Sequence, residues 1–159
     1  MKIVEGNLLD FPESVDIIFQ QCNVWACMGS GLAKSIRKTY PEAYTADVDY
    51  PIEKGFRRLG NYSTTPLTSD NSKRIVNLYG QDLGGENPFK IKAYMSALRK
   101  SLAHLQSEFR KDNKTQPKLG FPYLVGCGLA KGYWPYVKDI TEWMVDQYGF
   151  TAIWIKFDE

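Results

Sequence analysis

A chain of 159 residues has the length of one domain with one core, and 1–159 is read as a single unit. Its hydrophobic (43%) and charged (24%) fractions are ordinary for a globular protein and argue against disorder, while 14% aromatic residues point to well-filled packing. A formal net charge of +2 gives no support to a nucleic-acid-binding surface. The cysteines, Cys22, Cys27 and Cys127, are odd in number and lack Cys-x-x-Cys spacing, which fits reduced cytosolic thiols better than a disulfide framework. The opening MKIVEGNLL has no apolar stretch of the kind that marks a signal peptide, and no apolar run approaches the length of a membrane span, so a cytoplasmic protein is expected. The single histidine, His104, excludes mechanisms that need two, and most zinc sites with them; no metal and no cofactor are expected.

Along the chain, residues 2–4 are a short strand candidate, and residues 16–20 (DIIFQ) read as a buried strand because the run is apolar and β-branched. A small glycine-containing turn at residues 26–31 leads into Leu32, Ile36 and Tyr40 at helical spacing, so a helix is expected from near Gly31 to Tyr40-Pro41. Residues 41–72 are mixed in character, with a strand at 62–67 and a turn at Asp70-Asn71. Residues 74–79 (RIVNLY) form a second buried-strand candidate, and Gly84-Gly85 with Pro88 marks a loop. Phe89, Ala93, Ala97, Leu98, Leu102, Leu105 and Phe109 describe a long amphipathic helix, followed by a polar connector at 111–116. Residues 118–122 are a strand, and Gly126-Cys127-Gly128 is a loop. Trp134, Val137, Ile140, Thr141, Met144, Val145 and Tyr148 then repeat at helical spacing, with Gly149 placed to end the helix, and residues 151–157 are a terminal strand. Alternating strands and helices imply an α/β domain with a parallel or mixed sheet. Such sheets bind ligands beyond the carboxyl ends of their strands.

Both glycine loops follow strand candidates directly. In the first, Met28-Gly29-Ser30-Gly31-Leu32 precedes a helix whose N-terminus offers unpaired N–H groups and partial positive charge, a combination suited to phosphate. The second, Val125-Gly126-Cys127-Gly128-Leu129, repeats the strand, loop, helix order. Two such loops on adjacent strand ends would hold a diphosphate between backbone N–H groups without a cluster of arginines. Each loop alone also reads as an ordinary tight turn.

Glu5-Gly6-Asn7-Leu8-Leu9, Gln21-Cys22-Asn23, Met28 to Ala33, Lys38-Thr39-Tyr40-Pro41-Glu42, Pro122-Tyr123, Gly126 to Ala130 and Trp134, in this order, resemble a macro domain over essentially the whole chain. The resemblance is strongest to the branch holding yeast-type ADP-ribose-1″-phosphate phosphatases, many bacterial and phage proteins, and the terminal ADP-ribose protein glycohydrolase. It implies a three-layer α/β/α sandwich on a mixed, six-stranded sheet, with ADP-ribose lying across the strand ends. On the same resemblance Asn7 and Leu8 approach the adenine, with asparagine standing where an aspartate is usual. Asn23 approaches the distal ribose, Gln21 ends its strand near the site as a further ligand-binding candidate, and Cys27, Met28, Gly29, Ser30, Gly31 and Leu32 join Val125, Gly126, Cys127, Gly128, Leu129 and Tyr133 around the diphosphate and distal ribose. Trp154, Ile155 or Phe157 packs on the adenine.

Beyond Asn7, the chain departs from the branch at three places. Gln81 stands where the glycohydrolase has a lysine, Ala130 where it has an aspartate, and Tyr133 where many relatives have an aspartate. A covalent lysine-aspartate mechanism is therefore not expected. Hydrolysis of ADP-ribose-1″-phosphate would rest on positioning of substrate and water, with Asn23, Ser30, Gln81 and Lys131 as the candidate residues. The alternatives are a non-catalytic module for ADP-ribose or an NAD-derived nucleotide, and removal of ADP-ribose from modified macromolecules. Several residues have a plainer reading as well. Asn23 would cap a turn, Cys127 would be a small structural thiol, Lys131 and Tyr133 would be solvated, Gln81 would decorate a strand end, and Trp25 would pack beneath the cleft.

Overall fold

A computed structural model of the chain describes residues 1–82, 88–112, 115–128 and 130–157. Among these, strands β1 (Lys2–Glu5), β2 (Ile17–Asn23), β3 (Tyr62–Pro66), β4 (Arg74–Gln81), β5 (Lys118–Pro122) and β6 (Thr151–Lys156) make one six-stranded sheet in the order β1-β6-β5-β2-β4-β3. Neighbours run parallel except at the edge, where β3 is antiparallel to β4. The helices are α1 (Gly31–Thr39), α2 (Pro41–Val48), α3 (Ile91–Lys111) and α4 (Trp134–Gln147).

Successive side chains of a strand face opposite ways, and the central strands are apolar on both faces, so each face needs a covering layer. Ile17, Phe19, Leu119, Phe121 and Trp154 pack against Tyr94, Leu98 and Leu102 of α3 and Val137, Met144 and Val145 of α4. On the other face Ile18, Ile75, Ile153 and Ile155 pack against Ile36 of α1 and Ala43 of α2. The result is the expected α/β/α sandwich with a mixed sheet. No described helix is long and apolar enough to cross a membrane.

Local signals set the helix ends. Pro41 occupies the first turn of α2, where its missing N–H has no partner to lose, and Tyr40 before it leaves the helical region (φ −128°, ψ 73°), which separates α1 from α2. Gly149 takes φ +75° beyond α4, with its N–H donating to the Asp146 carbonyl (2.9 Å) and the Phe150 N–H to the Val145 carbonyl (3.1 Å). That pair of bonds is the Schellman closure that the glycine announces.

Four expectations are corrected. β2 continues to Asn23 and β4 to Gln81, because parallel pairing between them carries polar residues into the sheet. The segment read as mixed after residue 40 contains α2. Phe89 lies outside α3, in an isolated bridge with Gln81. Trp154 and Ile155 are 0% and 2% exposed in the two cores, so neither is open to an adenine, whereas Phe157 is exposed. The expected Gly84-Gly85 loop lies outside the described residues.

Candidate functional site

Because β2, β4 and β5 run parallel, their carboxyl ends open on one edge of the sheet, and a cavity of about 340 Å³ lies there. That volume falls within the range of small-molecule sites. β2 delivers Gln21 and Asn23 to its wall, and β4 delivers Gln81. The loop into α1 supplies Met28, Gly29, Ser30, Gly31 and Leu32, and the loop after β5 supplies Val125, Gly126 and Gly128. The two glycine loops therefore do face each other across one cavity.

Their backbone is arranged for an incoming acceptor. In the second loop the Val125 and Cys127 N–H groups close turns onto the Pro122 and Leu124 carbonyls (3.0 and 2.9 Å). Those of Gly126 and Gly128, between and beyond them, find no backbone acceptor among the described residues, and neither do those of Gly29 and Ser30 in the first loop. The Gly31, Leu32 and Ala33 N–H groups open α1 and are unpaired within it by helix geometry, and Ser30 makes no side-chain cap. Ala26, Met28, Leu124 and Lys131, all in these loops, hold positive φ of 56°, 42°, 63° and 62°. Non-glycine residues in that region store about 1–2 kcal/mol each, a cost that gathers at ligand-holding loops.

Side chains fix the loops in place. The Arg37 guanidinium lies over the Tyr44 ring (3.8 Å) and donates to the Cys27 carbonyl (3.2 Å). Trp25 Nε1 donates to Asp82 Oδ1 (2.9 Å), tying the first loop to the end of β4. Phe89 packs beneath Gly126, and its N–H donates to the Ala130 carbonyl (3.2 Å).

Asn23 combines its two readings. Its Oδ1 accepts from the Trp25 N–H (2.8 Å) and caps the turn, while its Nδ2 has no protein acceptor among the described residues. Gln21 Nε2 donates to the Cys22 carbonyl (2.9 Å) and, at 3.4 Å, to Gln81 Oε1, which leaves the buried Gln21 Oε1 without a partner. Cys127 is not among the cavity-lining residues, and burial pushes its thiol up to about 11. The thiol of Cys22, fully buried, is also raised, by burial first and by Asp47 second. Neither thiol is a ready nucleophile near neutral pH.

Asn7, Leu8, Cys27, Lys131 and Tyr133 also lie off the cavity wall. The Asn7 Oδ1 accepts from the Leu9 N–H (3.0 Å) and caps a short turn, Leu8 is buried against Ile18 and Ile155, and Lys131 and Tyr133 are exposed beyond the second loop. Leu129 lies outside the described residues.

One lining residue had no sequence signal. Asp47, on α2, is 1% exposed, yet it reaches the cavity wall. It stands at the end of a buried donor chain. Gln20 Nε2 donates to Asn77 Oδ1 (2.7 Å), Asn77 Nδ2 to Ser63 Oγ (3.1 Å), and the Tyr79 hydroxyl, 2.8 Å from Ser63 Oγ, donates to Asp47 Oδ1 (2.8 Å). Arg58, equally buried, donates to the same Oδ1 (3.3 Å) and to the carbonyls of Asp47, Ile52 and Tyr50. Burial raises the Asp47 carboxyl above its ordinary range, against the lowering influence of Tyr79 and Arg58.

No protein-family model matches the chain. An uncharacterized 17.5 kDa protein from the tk-vs intergenic region of Enterobacteria phage T4 is 28% identical over 149 residues, covering 93% of this chain and 89% of its own length. Among solved structures, the macrodomain of Thermus aquaticus DarG superposes with a TM-score of 0.67 at 19% identity, covering 99% of this chain and 97% of that one. The macrodomain of Mycobacterium tuberculosis DarG gives 0.70 at 19% identity, with 99% and 97% covered. Thermosipho africanus DarTG, solved in complex with ADP-ribose, gives 0.69 at 18% identity over 99% of this chain and 42% of the larger one. With TM-scores of 0.67–0.70 over 99% of its length, this chain has the macrodomain fold.

Proposed function

We propose that the cavity binds ADP-ribose, with the diphosphate held between the two glycine loops. The observation that carries this reading is that Gly29, Ser30, Gly126 and Gly128, whose N–H groups find no backbone acceptor among the described residues, line one cavity beside the N-terminus of α1. Oriented backbone donors of this kind bind a diphosphate without a lysine or arginine cluster. The complex of Thermosipho DarTG with ADP-ribose supports the choice of nucleotide. On this reading the adenosine lies toward β1 and β6, and the second sugar lies toward Asn23 and Gln81, where the β4 end closes the cavity.

The finer reading is hydrolysis of ADP-ribose-1″-phosphate to ADP-ribose and phosphate. Asn23 Nδ2 would hold the sugar, Gln81 would orient water, and the α1 N-terminus with Ser30 would stabilise phosphate charge. Lys131, exposed beyond the second loop, would meet the ligand only at the rim. The absence of an ionisable side chain at Gln81 and Ala130 favours a second reading, a module that binds ADP-ribose or an ADP-ribosylated macromolecule without turning it over.

Two measurements on the same preparation separate these readings. Calorimetry with ADP-ribose should give saturable binding, and no heat or melting shift at millimolar nucleotide would remove the site. Phosphate release from ADP-ribose-1″-phosphate above a protein-free blank establishes the phosphatase, and tight binding with no release establishes the module.

A further inference from the structure

The glycine loops contain no carboxylate, but the cavity has one. Asp47 Oδ1 accepts from Tyr79 and Arg58, while Oδ2, on a residue that lines the cavity, is buried with no hydrogen-bond partner among the described residues. A buried carboxylate oxygen without a donor is costly, and the cost is relieved when a donor arrives. Its place in the fold says where that donor would come from. α2 packs on β3 and β4, the edge of the sheet opposite β1, so Asp47 stands at the β4 end of the cavity, beside Cys22 and Asn23. Arg58 neutralises the carboxylate from behind at 3.3 Å, which keeps it from repelling an anionic ligand.

We propose that Asp47 is a ligand-contacting, specificity-determining residue whose Oδ2 accepts a hydrogen bond from a hydroxyl of the sugar at the β4 end of the cavity. The proposal rests on the reading of the cavity as an ADP-ribose site. Oδ2 is buried in the free protein, so the bond forms as the neighbouring side chains give slightly on binding. A sugar with hydroxyl donors is rewarded there, and a ligand that ends at the diphosphate and lacks the second sugar gains nothing from Asp47. Recognition is thereby divided. The loops select a diphosphate by backbone donors, and α2 selects a polyhydroxylated end by a buried acceptor.

Asp47→Asn is the sharp test. It keeps the size of the side chain and an acceptor for Tyr79 and Arg58, but turns the Oδ2 position into a donor. Calorimetry compares wild type and variant with two probes, ADP-ribose and ADP, which lacks the second sugar. The expected result is a loss of at least tenfold in ADP-ribose affinity with less than twofold change for ADP. Equal losses for both probes mean a structural role and overturn the proposal, as does unchanged ADP-ribose affinity. Wild type that binds neither probe overturns the site itself, and wild type that binds ADP-ribose with an indifferent variant overturns only the role of Asp47. A second measurement does not depend on the variant folding. In uniformly ¹³C-labelled wild type, the Asp47 carboxyl resonance, assigned through its Cβ, should move on adding ADP-ribose and stay put on adding ADP; a resonance unmoved by ADP-ribose refutes the contact.

Discussion

Gly126→Ala probes the second loop by stability alone. Gly126 sits at φ +71°, and an added Cβ would lie 2.5 and 2.8 Å from Cε2 and Cδ2 of Phe89. The left-handed backbone costs an alanine about 1–2 kcal/mol. Forcing a methyl against the ring of Phe89, whose backbone N–H also holds the Ala130 carbonyl, adds about 1–2 kcal/mol of overpacking. The sum, about 2–4 kcal/mol, lowers the melting temperature by about 5–15 °C in a chain of this size. Gly128→Ala is the matched control. Its Cβ would meet nothing within 4 Å and its φ is not in the positive range, so the fold should keep its stability within about 0.5 kcal/mol. Its methyl projects into open space on the cavity-lining loop, so it should weaken ADP-ribose binding instead. Thermal unfolding by circular dichroism, with urea melts to fix the slope, measures the first effect and calorimetry the second. Equal melting temperatures for Gly126→Ala and wild type would refute the packing argument.

Other expectations follow from the same coordinates. Arg58→Ala leaves the Asp47 carboxylate buried and uncompensated and should cost about 3–5 kcal/mol in urea unfolding. Trp154→Ala empties the centre of the larger core and should cost about 3–5 kcal/mol, whereas Phe157→Ala, at an exposed residue just past β6, should stay within about 0.5 kcal/mol, and thermal melts of the pair test which of the two is buried. Asp70, held at about 2 by hydrogen bonds from Ser72 and Thr68, is depressed relative to the unfolded chain. Its contribution is therefore present above about 4 and lost as pH falls toward about 2. The gap in melting temperature between wild type and Asp70→Ala should shrink over that window, and a gap constant in pH would contradict the turn geometry.

Much of this architecture could be read before any coordinates. The six strands and three of the four helices have strong local signatures, such as the β-branched run at Ile17 and Ile18 or the apolar stripe from Ala97 to Leu105. α2 did not, because its eight residues place an aspartate at a buried position, which breaks the apolar pattern that marks a helix. The reason for a charge there, Arg58 eleven residues on and Tyr79 farther still, exists only after folding. Trp154 was ambiguous for a related reason. β6 is buried on both faces, so periodicity cannot say which side chains face a core and which a ligand. The glycine loops were legible because their spacing follows strand ends directly. Asn7, expected at the adenine from the resemblance alone, caps its own turn and lies off the cavity wall.

A cavity wall built from main-chain N–H groups has an evolutionary consequence. Most substitutions alter a side chain and leave its amide where it was, so a lineage can rewrite nearly every lining residue while the cradle keeps its shape. What such drift cannot touch is the handful of positions where a Cβ would collide, as at Gly126 against Phe89.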